Sequence, residues 1–135
     1  MKVPVCCLAA LLLTSGACAD TVIYTDSKHP ITRDPGPGVS VILLDAPEQL
    51  QAQQFGSLSA DPFQAEQQAR EVIRSSAFEQ NQRNLAEAYS RLAHAWSLGL
   101  DKYPAVVFDD KWVVYGTTDI GVATQQLNAW KETAQ

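Results

Sequence analysis

"KYPAVVFDDKWVVYG" (residues 102–116) decides the fold. Two apolar, β-branched runs flank Asp109-Asp110-Lys111, whose short polar side chains suit a turn, so the stretch reads as a β-hairpin over about 104–115. "PAVVF" is apolar enough to sit in the middle of a sheet, whereas the strand carrying Trp112 and Tyr115 reads as an edge. Those two aromatics are therefore candidates for an exposed binding surface, with core packing as the alternative.

Upstream of the hairpin, Phe63 to Leu98 contains neither Gly nor Pro. Apolar residues recur at helical spacing in two stripes, Ala65, Ala69, Val72, Ile73 and Ala77, then Leu85, Tyr89, Leu92 and Trp96. The polar run "EQNQRN" (79–84) between them predicts a bend or break, giving either a helical pair over about 62–98 or one long kinked helix that ends at Gly99. Asp61-Pro62-Phe63-Gln64 predicts the start, with Asp61 as cap, Pro62 in the first turn and Gln64 reaching back. Downstream, Thr118 or Asp119 can cap a last helix whose stripe is Ile120, Ala123, Leu127 and Trp130. Trp96 and Trp130 lie on these stripes and are expected in the core. His94, beside the stripe, is expected to be a partly buried structural residue.

Nearer the start, "TVIYT" (21–25) predicts a strand and "VSVILLD" (39–45) a strand buried on both faces. Between them "KHPITRDPGPG" (28–38) is loop, because three prolines and two glycines punctuate it. "PEQLQAQQF" (47–55) opens with Pro47 and predicts a short helix ending near Gly56. Strands and helices that share one small sheet define an α/β fold with helices on both faces.

Residues 1–19 carry Lys2, the apolar run "VCCLAALLL" and the small-residue site Ala17-Cys18-Ala19, which together predict a secretory signal cleaved after Ala19. Cleavage before Cys18, giving a lipoprotein, is the second reading, although Ser15 stands where such signals usually carry Leu. Cleavage after Ala19 would leave one domain, 20–135, in the periplasm. All three cysteines, Cys6, Cys7 and Cys18, lie in residues 1–19, so a chain cleaved after Ala19 has no disulfide and no thiol nucleophile. Fifteen acidic residues stand against ten basic ones, for a formal net charge of −5, and no Lys/Arg cluster offers a footprint for nucleic acid. No later apolar run is long enough to span a bilayer, so stable membrane insertion after signal removal is not expected.

The element order, with Pro104 opening the hairpin, resembles the thioredoxin-like fold. That resemblance implies a cis bond before Pro104 and sets His29-Pro30-Ile31-Thr32 where redox-active relatives carry Cys-x-x-Cys. More closely, "VIYTDSKHP", "LLDAPEQL", "LSADPFQAEQQA" and above all "YPAVVFDDKWVVYGTTDIGVA" resemble a family of small exported proteins of integrating conjugative elements. The resemblance implies a periplasmic part in conjugative transfer beside type IV secretion components, and it brings no catalytic residues with it.

The residues themselves offer little to an enzyme. Two histidines and no mature cysteine give poor support to a metal site or a nucleophilic triad, and no cofactor motif is present. His29, with the acids near it, is the one candidate base. A groove formed by His29, Pro30, Tyr103 and Pro104 would instead hold an extended peptide through backbone hydrogen bonds. The sequence thus points to a non-enzymatic accessory protein that binds other envelope components of the conjugation apparatus. A periplasmic chaperone-like helper, or an enzyme using His29, are the alternatives.

Overall fold

A computed structural model describes residues 20–134, so the expected signal and its expected cleavage site, with the three cysteines, lie outside the described residues. The elements run β1 (Thr21–Thr25), β2 (Val39–Leu43), α1 (Ala46–Gln54), α2 (Pro62–Ile73), α3 (Ser76–Ser97), β3 (Ala105–Phe108), β4 (Trp112–Tyr115) and α4 (Ile120–Thr133). The four strands make one mixed sheet in the order β2-β1-β3-β4. β1 runs parallel to β2 and antiparallel to β3, and β3 pairs antiparallel with β4. This is the α/β arrangement expected, and it is compatible with a thioredoxin-like fold. The Tyr103–Pro104 bond is cis.

Strand alternation sorts the apolar side chains onto two faces. Val22, Tyr24 and Val107 pack with Ala95 of α3, joined by Ile42, Leu44 and Leu100. Ile23, Val106 and Val114 pack with Ala123 of α4, joined by Ile31, Val39 and Leu127. Each fully buried Val or Ile contributes roughly 1.5–3 kcal/mol to folding. β1 and β3 are central, which is why their apolar runs are unbroken.

In the hairpin, Asp109 and Asp110 both take positive φ, 54° and 51°, a region that Asp tolerates better than most residues. Lys111 N–H donates to Phe108 O at 3.1 Å across this turn. Asp119 caps α4 through Val122 N–H at 3.1 Å.

Five expectations need correction. "VSVIL" is an edge strand rather than one buried on both faces: the segment between β1 and β2 forms no helix, so no helix covers β2 beyond Val39 on the α4 side, and Val41 and Leu43 are 38% and 40% exposed. The break in the helical pair lies at Arg74-Ser75, not in "EQNQRN". Ser75 caps α3 by accepting from Phe78 N–H at 3.1 Å, and its hydroxyl also donates to Val72 O at 2.6 Å, closing α2. The polar run instead continues α3, where Gln80 and Asn84 pair along the exposed face and Asn81 Nδ2 donates to Leu50 O of α1. Gln64 does not complete a capping box, because its side chain turns to Ser59 Oγ, although Asp61 Oδ1 does accept from Gln64 N–H. Trp96 and Trp130 are not core residues; they are 68% and 53% exposed. His94 is exposed as well, with Nε2 3.2 Å from Asp110 Oδ2. In both helical cases the stripe is real, but small Ala95 and Ala123 lie against the sheet while the larger neighbours fall outside it.

Candidate functional site

The carboxyl ends of the parallel strands β1 and β2 meet the start of β3 at one end of the sheet. In open α/β sheets, crevices that take ligands form outside such strand ends. Here the first bend is tightly tied. Asp26 is buried, and its Oδ1 lies 2.6 Å from His29 Nδ1 while accepting the backbone N–H groups of Lys28 at 3.2 Å and His29 at 2.9 Å. Thr25 Oγ1 donates to His29 O at 2.6 Å. An ionised carboxylate only accepts, so in that pairing Nδ1 carries the hydrogen and Nε2 is the free ring nitrogen.

The residues singled out in the sequence fall partly together. The His29 and Tyr103 rings meet edge to face with centroids 6.2 Å apart. Pro30 follows His29 on the exposed rim, and Pro104 is half-buried behind Tyr103. Trp112 and Tyr115 belong to the edge strand β4, with Trp112 half-buried and Tyr115 exposed. Trp112 tilts against Trp130 at 5.4 Å, and Lys111 Nζ and Lys131 Nζ lie 4.9 and 5.1 Å from its ring centre. Trp112 thus stands at the turn end of the hairpin, away from Tyr103.

The cavity at the strand ends opens on the other side of Tyr103, towards α1 and α3, with a volume of about 530 Å³. Asp26 and Tyr103 form one wall, and Leu44, Asp45 and Glu48 a second. Tyr89, Leu92 and Trp96 come from α3, and Leu100 and Asp101 from the segment after it. That segment is placed by the end of α3. Gly99, at φ +74°, turns the chain, Gly99 N–H reaches Trp96 O, and Leu100 N–H reaches Ala95 O, the paired bonds of a Schellman motif. Leu100 is thereby pinned into the core, and Asp101 and Tyr103 follow it onto the cavity rim.

Asp45 is the group most shaped by this environment. Burial alone would raise its carboxyl, but hydrogen bonds from Ser27 Oγ, Ser27 N–H and Gln49 Nε2 outweigh burial and leave it below the ordinary carboxylate value. All of these named side-chain and Ser27 bonds reach Oδ2; Oδ1 is buried with no hydrogen-bond partner among the described residues. Four carboxylates, those of Asp26, Asp45, Glu48 and Asp101, line the cavity with no basic side chain among them. Among the described residues no group of three or more His, Cys, Asp or Glu is placed to hold a metal ion.

Sequence reasoning reached Asp26 only among the acids near His29, placed Tyr89 and Trp96 on a helical stripe without a site role, and did not find Asp45. A signal was present: an aspartate closes each parallel strand, Asp26 directly after β1 and Asp45 two residues after β2. The β1–β2 register brings Thr25 opposite Leu43, so the two acids arrive at the same end.

Comparison with curated proteins yields no match, and neither does comparison with solved structures. The model of the family described as "Protein of unknown function (DUF1525)" matches residues 18–133, and the chain belongs to that family.

Proposed function

We propose that this is a non-enzymatic periplasmic accessory protein of an integrating conjugative element's type IV secretion machinery, holding a segment of another envelope component at the strand-end cavity. The observation that carries the binding role is the set of exposed aromatics at a concave site: Tyr89, Trp96 and Tyr103 all line it and are 46%, 68% and 50% exposed. Large aromatics left uncovered at a concave surface are the usual anchors of protein interfaces. The assignment to conjugation rests on the resemblance of "YPAVVFDDKWVVYGTTDIGVA" and its companion blocks. The periplasmic location rests on the Ala17-Cys18-Ala19 pattern.

The test is photo-crosslinking in donor cells from a reactive side chain at Tyr103, with Gln125 on exposed α4 as control. A single envelope protein captured from Tyr103 and not from Gln125 is the expected result. A broad set of unrelated exported chains would instead favour a chaperone-like helper, and no capture at Tyr103 would count against both.

One observation favours a second reading. Asp26 orients His29 and leaves Nε2 free, which is the base-and-orienter half of a hydrolytic site. Among the hydrogen bonds described, no hydroxyl reaches His29 Nε2, so the nucleophile half would have to come from a bound water or substrate.

A further inference from the structure

We propose that the strand-end cavity takes a basic side chain, arginine or lysine, from the partner polypeptide. This inference deepens the binding reading above and rests on it. Its basis is chemical. The lining combines three aromatic side chains, Tyr89 and Trp96 of α3 and Tyr103, with the carboxylates of Asp26, Asp45, Glu48 and Asp101, and holds no cation of its own. Ammonium and guanidinium groups are held by aromatic faces through the ring quadrupole and by carboxylates through charge-assisted hydrogen bonds. A phosphate or a carboxylate would meet only like charge here.

A second, independent feature points the same way. Asp45 Oδ1 is a buried carboxylate oxygen without a partner, on a side chain whose other oxygen is already occupied by Ser27 and Gln49. Buried polar atoms are rarely left unsatisfied, and an unpaired buried acceptor is costly. Oδ1 is itself out of reach of an incoming group, but a cation seated in the cavity lowers that cost through its attraction to the Asp45 carboxylate; a neutral group does not. The volume of about 530 Å³ far exceeds a single ammonium group and accommodates a long basic side chain with the backbone on either side. Leu44, Leu92 and Leu100 supply an apolar floor for the methylene stem of such a side chain.

The partner is a polypeptide rather than a free amine because the exposed rim extends beyond the cavity. Trp96 and Tyr103 present far more aromatic surface than an isolated amine would cover.

The experiment is a calorimetric titration of the mature protein with a capped five-residue peptide holding one arginine between glycines. The control is the same peptide with citrulline, which keeps the shape and loses the charge. Saturable binding of the arginine peptide is expected, with the citrulline peptide weaker by about tenfold or more. Trp96→Ala and Glu48→Gln, both at exposed positions and checked for folding by circular dichroism, should each weaken the arginine peptide by roughly three- to tenfold. Equal binding of the two peptides, no saturable binding by the folded protein, or unchanged affinity in both variants would overturn the proposal. Tighter binding of 1,4-diaminobutane than of the arginine peptide would overturn the polypeptide source. Failure of this inference and failure of the broader reading are distinguishable. A partner crosslinked at Tyr103 together with peptides that bind alike removes the basic side chain and keeps the docking face. Arginine selectivity without any crosslinked partner in donor cells does the reverse.

Discussion

His29 and Asp26 hold each other across the first bend: His29 Nδ1 and the His29 backbone N–H both meet Asp26 Oδ1, at 2.6 and 2.9 Å. One oxygen of the buried Asp26 side chain therefore organises both the side chain and the backbone of the His29 bend. The scaffold keeps the bend ordered without any sulfur.

It follows that Asp26 matters more to stability than His29. Asp26→Asn weakens the carboxylate's three contacts in a buried position and should cost roughly 1–3 kcal/mol. His29→Ala removes one contact from a half-exposed ring and should cost roughly 0.5–1.5 kcal/mol. Urea denaturation of both variants measures the difference, and the reverse order would contradict this account of the bend.

Asp45 predicts a pH dependence. Its folded carboxyl is held below the ordinary value of 3.8, so the folded state prefers the ionised form. The stability this contributes is present above the ordinary value and is lost as pH falls through the lowered folded value. Asp45→Asn should therefore be less stable than the native protein near neutrality, with the gap closing below about pH 4. A gap that widens on acidification would show the opposite sign.

The two exposed tryptophans should behave unlike core residues. Trp96→Ala should change stability by no more than about 0.5 kcal/mol, as expected for an exposed position. Trp130→Ala forfeits its contact with Trp112 and should cost roughly 0.5–1.5 kcal/mol. Ile23→Ala, in the buried centre of β1, should cost roughly 2–5 kcal/mol. Thermal melts of the three variants rank them directly.

Ser75 predicts where the helical pair divides. Ser75→Ala removes the side-chain acceptor for Phe78 N–H and should cost about 1 kcal/mol. Hydrogen exchange should speed at the first turn of α3, around 76–79. If protection instead drops across 79–84, the break lies in the polar run after all.

Much of this architecture was legible in the residues. The hairpin, the two central strands and the Asp119 cap each carry a short-range signal: β-branched runs around a polar turn, or a capping side chain ahead of a helical stripe. The misreadings share one physical origin. Periodicity reports which residues lie on a common helix face and not how far that face sinks, so the stripes through Trp96 and Trp130 were right while the depth was set by Ala95 and Ala123. The exposure of β2 depended on the absence of a covering helix after β1, a tertiary fact that "VSVIL" does not encode. The cavity was hidden for a related reason. Its walls are contributed by β1, β2, α1, α3 and the Tyr103 segment, and only the parallel pairing of β1 with β2 brings Asp26 and Asp45 to one place.

The proposed function has the strand-end cavity act by binding, with no chemistry at His29. Its most direct test is conjugative transfer frequency from donor cells in which the native gene is replaced by variants, with protein levels checked by immunoblot. Trp96→Ala combined with Tyr103→Ala should lower transfer by about tenfold or more, since each aromatic anchor is worth upward of 1 kcal/mol, while His29→Ala should leave it within about threefold of the native value. Transfer abolished by His29→Ala at native protein levels, with the aromatic double variant unaffected, would contradict the account and establish the His29–Asp26 pair as the working site.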